Sequence, residues 1–253
     1  NHLDRYQLQQ ELIATRFDPT LPDADTQLMA ARLSGRLPDN PLVDDTLADW
    51  QAQANAFSEH LLSLGAAQLV TEPAERVFND TLKVTAHLPR LPGGELLYWR
   101  LADAKGKDHL RLWLHHLLAN TQSETITMGV FRERKKDEVY AINFAPMTVD
   151  TARTELGHWL DFWRRGQREP LPWHTEIAME MAKPRERREY NSGDFDKVWY
   201  GDGWFSNGLS EDPYMAWFWP EQPEHDAIFE GVTALYAPLF EHLAQEKLQV
   251  EKK

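Results

Sequence analysis

The apolar residues of this chain change period partway along it, and that change limits the folds open to it. Leu47, Trp50, Ala54, Phe57, Leu61 and Leu64 recur at intervals of three and four, which sets one apolar stripe along a helix. Asp45 stands where an N-cap is expected, and Gly65 can take the left-handed conformation that ends a helix. From Leu82 the interval drops to two. Leu82, Val84, Ala86 and Leu88 alternate with Lys83, Thr85 and His87, as on a half-buried strand. Pro92-Gly93-Gly94 supplies a turn and Glu95 to Leu101 returns, so 82–90 and 95–101 are predicted to pair antiparallel.

The remaining patterns fit around this hairpin. Residues 3–17 read as a short amphipathic helix, followed by the Pro-rich connector Leu37-Pro38-Asp39-Asn40-Pro41. The apolar run 108–119 predicts a helix packed on the sheet. Ile126–Phe131 and Val139–Phe144 predict a second hairpin with a charged tip, Arg132 to Asp137. A helix from Val149 to Arg165 has Thr148 as its cap and stops at Gly166. Residues 183–196 are polar, with Asn191-Ser192-Gly193 as a loop signal. A Gly- and aromatic-rich loop, 200–208, leads to Tyr214–Trp219, and a last helix begins near Asp226 and is interrupted by Pro238. The order predicts an α/β core with large helical additions, not a doubly wound sheet.

Charge narrows the functional classes. A net charge of −13 argues against a free-standing DNA binder, because phosphate contacts need Lys and Arg. The imbalance is not uniform: residues 1–80 hold 5 basic and 13 acidic residues, 81–200 hold 19 and 17, and 201–253 hold 3 and 10. Nucleic-acid contact is therefore expected from the middle of the chain, and partner or solvent contact from the flanks. With no cysteine there is no disulfide, zinc knuckle or thiol nucleophile. No apolar run approaches the roughly 20 residues of a membrane span, so no membrane partner is expected and a cytoplasmic location fits. No methionine precedes Met29, as expected of a segment of a longer polypeptide.

A hairpin followed by an apolar helix also resembles the restriction-endonuclease-like, PD-(D/E)xK nuclease core. There one strand supplies an Asp, the next supplies (D/E)xK, and the helix often carries QxxxY. Two carboxylates hold Mg²⁺, which polarises the phosphate and activates water, while the Lys steadies developing charge. Against "G-R-I-D-R" this chain has Ala86-His87-Leu88-Pro89-Arg90, so the Asp falls on Pro89. Against "L-L-D-Y-K" it has Leu96-Leu97-Tyr98-Trp99-Arg100, which puts Tyr98 and Arg100 at the acid and lysine positions. Arg111 and His115 stand at the Gln and Tyr positions of the helix. A proline and a protonated tyrosine do not replace metal carboxylates, so the resemblance implies a degenerate site with no catalytic residue and no metal.

Further motifs resemble the C-terminal domain of the exodeoxyribonuclease V gamma subunit, the RecC family. Leu3-Asp4-Arg5-Tyr6-Gln7-Leu8 is similar to its first helix, and Leu33-Ser34-Gly35-Arg36-Leu37-Pro38 to its "ASGxLP" turn. Leu88-Pro89, Leu96-Leu97-Tyr98-Trp99-Arg100 and Leu112-Trp113-Leu114-His115-His116-Leu117 resemble "LP…LLRWR…LWLEHL". Trp163-Arg164-Arg165-Gly166 with Pro170-Leu171 resembles "YREG…PL". Glu211-Asp212 and Ala237-Pro238-Leu239-Phe240 resemble "GDD" and "LPLF". Departures are a shorter 183–200 region and a more acidic surface. The resemblance implies one domain over 1–253, with a mostly helical segment 1–66, a nuclease-like core 67–171, and helical and loop additions 172–253. It implies a non-catalytic, DNA-handling role in a helicase–nuclease for double-strand break repair. The partners would be RecB-type and RecD-type subunits, double-stranded DNA ends and separated strands. ATP and Mg²⁺ would belong to the partner subunits, leaving no cofactor in this domain.

Other signals have plainer readings. His109, His115 and His116 lack the helical spacing of a metal pair and read as helix-surface or partly buried residues. Asp103-Ala104-Lys105 spells DxK but sits in a polar connector. Arg132, Arg134, Lys135 and Lys136 are the candidate DNA contacts, against the reading of a solvated turn. Lys183 to Arg188 reads as a solvated segment. Trp199, Tyr200, Trp204, Phe205, Tyr214, Trp217, Phe218 and Trp219 read mostly as core, with a partner interface or base stacking for the rest. Two rival functions remain: an Mg²⁺-dependent nuclease with a diverged site, for which Glu95 is the one acid between 84 and 100, and a pure protein-interaction domain.

Overall fold

The computed structural model describes residues 2–37, 43–79, 82–133, 135–184, 190–201 and 208–248. Its helices are α1 (His2–Ala14), α2 (Ala24–Leu33), α3 (Val43–Ser63), α4 (Gly106–Asn120), α5 (Val149–Gly166), α6 (Thr175–Ala182), α7 (Ser192–Tyr200), α8 (Pro213–Phe218) and α9 (His225–His242). Its strands are β1 (Val70–Asn79), β2 (Leu82–Arg90), β3 (Leu96–Arg100), β4 (Thr127–Glu133), β5 (Glu138–Phe144) and β6 (Leu243–Lys247). They form one mixed sheet in the order β1-β2-β3-β4-β5-β6. The chain divides into two compact units, each drawn from separated stretches. One is Asn1–Ala104, Thr125–Pro146 and Ala244–Lys253; the other is Lys105–Glu124 and Met147–Leu243.

In the first unit the helical stripe read from the sequence is the one that is buried. Leu47, Ala54, Phe57 and Leu61 of α3 join Leu8, Leu12 and Ile13 of α1 against Leu97, Leu101 and Val130 of the sheet. Full burial of side chains such as Phe57 and Leu61 contributes about 1.5–3 kcal/mol each. Gly65 ends the helix at φ +92°, as its position predicts. Asp45 is not the cap: α3 starts at Val43, so Asp44 and Asp45 both lie in its first turn. There they favour the positive end of the helix dipole. The position before Val43, and most of the Pro-rich connector, lie outside the described residues.

The predicted hairpin forms, with Arg90 paired to Leu96. β3 and β4 run parallel, joined through α4, while β4 and β5 pair antiparallel from Thr127↔Phe144 to Glu133↔Glu138. The sequence reading missed β1, which pairs with β2 from Val70↔Arg90 to Asn79↔Leu82. Its stretch V-T-E-P-A-E-R-V-F-N holds Pro73 and three charges, and lacks a clean apolar alternation. Residues 70–79 and 82–88 form a two-stranded ribbon. On one of its faces Thr71, Glu75, Val77, Lys83, Thr85 and His87 are all exposed.

The second unit is helical. There α4 packs against α5 and α6, and α6 packs on α9. Leu112, Trp113, His116, Leu117, Leu118 and Ala119 are all buried, a face too broad for a single partner. Trp159 of α5 meets Tyr236 of α9 edge to face at 5.0 Å. Thr148 caps α5, its hydroxyl accepting from the Thr151 N–H at 3.2 Å. Asn191 proves to be the cap of α7, not a mid-loop residue. Pro238 does not interrupt the last helix; α9 runs through it. An internal proline costs about 3 kcal/mol, and burial of Val232, Leu235, Tyr236 and Leu239 around it offsets that.

Candidate functional site

The two strands that would carry a nuclease site both lie in the first unit. Strand alternation and register decide which side chains meet. Arg90 opposes Leu96, and Arg90 Nε lies 3.4 Å from Glu72 Oε2, whose residue pairs with Leu88. Glu72, Leu88, Arg90, Leu96, Tyr98 and Arg100 therefore share one face. Pro89 projects from the other face, with Leu97, toward the side covered by α1 and α3. The structure thus brings Tyr98 and Arg100 together and sets Pro89 apart. The β2 position next to Arg90 on the shared face is Leu88, which is fully buried. A motif count along the sequence does not see this, because a slip of one residue changes faces.

Around Arg100 the connector is held by local bonds. Its guanidinium donates to the Asp103 carbonyl oxygen, and the Ala104 N–H donates to Tyr140 Oη at 2.9 Å. Burial raises the Tyr140 phenol above its ordinary value, against a smaller lowering from that N–H. The DxK look-alike is the lead-in to a helix: Lys105 N–H donates to Asp108 Oδ2 at 2.8 Å. Glu95 stays at the turn, where its carbonyl accepts from the Leu91 N–H at 2.8 Å.

The helix positions lie in the second unit. Arg111 is exposed and His115 half-buried, four residues apart on one side of α4. Burial pushes the His115 imidazole down to about 4, with the Arg111 charge acting in the same direction. Burial also lowers His109. His116 is fully buried, its Nδ1 3.2 Å from Asn120 Nδ2 and its ring stacked on Trp113 at 5.6 Å. These imidazoles serve the packing of α4. Among the described residues no group of three or more His, Asp or Glu is arranged to hold a metal ion.

The cationic hairpin is more engaged than its sequence suggests. Arg132 does not join a free tip: its side chain is 18% exposed, its Nη1 donates to Gln53 Oε1 of α3 at 3.0 Å, and its Nε donates to Asp137 Oδ1 at 2.7 Å. Strand alternation turns it to the helix-covered face. Lys136 Nζ donates to Glu133 Oε2 at 3.1 Å, and Lys135 is exposed. Arg134 lies outside the described residues.

Of the aromatic residues, Trp199 is core, as expected. The expectation of core fails for α8, where Tyr214, Trp217 and Phe218 are exposed. Their i, i+3, i+4 spacing after Asp212-Pro213 was the available signal. Trp204 and Phe205 lie outside the described residues.

A family model of the RecC C-terminal domain matches residues 1–186. The chain belongs to that family. RecC membership gives it a subunit role in a RecBCD-type complex of DNA repair and recombination, with other subunits as partners. No curated protein matches it. The RecC match ends before α7, so the α8 surface lies beyond the matched residues. No helix among the described residues is long and apolar enough to cross a membrane.

Proposed function

We propose that this chain is a non-catalytic DNA-handling domain of a RecBCD-type helicase–nuclease, helping to hold RecB-type and RecD-type subunits and to split or guide DNA strands. The observation that carries the reading is the shared face of β2 and β3. It presents Leu88, Tyr98 and Arg100 where a restriction-endonuclease-like core needs two carboxylates and a lysine. Of the acids on that side of the sheet, Glu72 is engaged by Arg90, Glu133 by Lys136 and Glu138 by Lys247. The order of β2, β3 and α4 supports descent from such a core, with the strands kept and the chemistry lost. Strand splitting needs a rigid obstacle, not a catalytic group, and the β1–β2 ribbon with its open polar face is the part best suited to it. Hydrolysis of ATP and binding of Mg²⁺ then fall to the partner subunits.

A cleavage assay tests the reading. The purified chain, incubated with linear duplex and single-stranded DNA in Mg²⁺ or Mn²⁺, should yield no product. Cleavage that survives purification and disappears in Glu95→Gln or Glu72→Gln would overturn the loss of chemistry.

A further inference from the structure

We infer that the outer face of α8 docks a motor subunit of the complex, through a segment that presents lysine or arginine beside apolar side chains. This rests on the proposed role in a RecBCD-type complex and names a surface and a partner chemistry within it. α8 is fixed from below: Asp212 Oδ1 accepts from the Tyr214 and Met215 N–H groups at 2.9 and 3.0 Å, and Met215 is buried. That leaves Tyr214, Trp217 and Phe218 at 78%, 81% and 50% exposure on a single face. Aromatic clusters of this kind dominate protein interfaces energetically.

Charge selects the occupant. Glu211, Glu221 and Glu224 are exposed on either side of the helix. Between Lys197 and Lys247 the chain has no lysine or arginine at all. Such a surface repels phosphates, so bases stacking on these rings would bring their backbone into an unfavourable field. A Lys- or Arg-bearing protein segment gains on both counts. Its apolar side chains cover the rings, and its cations meet the ring faces and the glutamates.

The test uses the full RecC-type chain co-expressed with its own RecB-type and RecD-type subunits. A photo-reactive benzoylphenylalanine at Trp217 should cross-link to a motor subunit, within a segment holding Lys or Arg next to apolar residues. Tyr214→Ser with Trp217→Ser and Phe218→Ser should weaken association at least about tenfold, with an unchanged melting temperature. Should that triple variant melt early, Glu221→Lys with Glu224→Lys decides instead, and should weaken association and flatten its salt dependence. Cross-linking to DNA alone, or wild-type affinity in a well-folded variant, would overturn the docking surface. A wild-type chain that holds neither motor subunit would overturn the functional reading itself.

Discussion

Arg132 Nη1 donates to Gln53 Oε1 at 3.0 Å, joining β4 to α3 across the covered face of the sheet. Asp137, in the left-handed conformation at φ 55°, holds the same guanidinium from the turn. The arginine therefore fastens a helix to a strand. Arg132→Ala should destabilise the chain by about 1 kcal/mol, since it removes the guanidinium's hydrogen bonds while Gln53 Oε1 keeps the Arg5 donor at 2.7 Å and Asp137 is open to water. Gln53→Ala, which removes the acceptor shared by Arg132, Arg5 and Gln9, should cost at least as much, and the double variant less than the sum of the two. Urea denaturation of the three variants checks this; a melt of Arg132→Ala matching wild type would remove the clamp.

The same geometry lowers the expected role of the hairpin tip in DNA binding. With Arg132 engaged at Gln53 and Lys136 at Glu133, Lys135 is the described tip residue best placed to meet phosphate. Lys135→Ser with Lys136→Ser in the full complex should lower DNA-end affinity by no more than about threefold. The slope of log affinity against log salt should fall by at most about one, the share of one phosphate contact. A salt titration with duplex ends is the measurement. A slope reduced by two would restore the tip as a phosphate-binding element.

What the sequence could disclose follows from how local each signal is. The α3 stripe, Gly65, the Thr148 cap and the β2–β3 hairpin are set by neighbours a few residues apart, and periodicity finds them. β1 escaped because its pairing is with β2, so its side chains need not alternate in hydrophobicity. The face occupied by Pro89 escaped for a different reason. It depends on the Arg90↔Leu96 register, a relation between strands that a linear motif does not encode. The broad burial of α4 was visible as an apolar run, but which elements cover it is set by chain segments about 30 residues and more away.

Asn120 makes such a distant relation testable. Fully buried at the end of α4, it donates from Nδ2 to the His116 carbonyl at 2.8 Å and accepts the Met147 N–H at 3.1 Å. It fixes where the chain re-enters the second unit ahead of α5. Asn120→Ala would strand the buried Met147 N–H and cost about 2–3 kcal/mol. Denaturation curves measure the loss, and hydrogen exchange at Met147 should rise with it. Slow exchange at Met147 in the variant would show that another acceptor replaces Asn120.

Acid should weaken this fold before its carboxylates protonate. Burial and the Arg111 charge hold the His115 imidazole at about 4, whereas in the unfolded chain it takes its proton near 6.5. Above pH 6.5 His115 is neutral in both states, so the shift then has no effect. Between 6.5 and about 4 the unfolded state binds the proton and the folded state does not. Stability therefore falls as pH falls through that window. For a half-buried group the loss is roughly 1–2 kcal/mol. His109 and His60 are shifted down by burial as well and act with the same sign. His115→Gln should flatten the decline between pH 7 and 5 relative to wild type, as read by urea midpoints at each pH. An equally steep decline in the variant would assign the acid sensitivity to His109 and His60, or to groups outside α4.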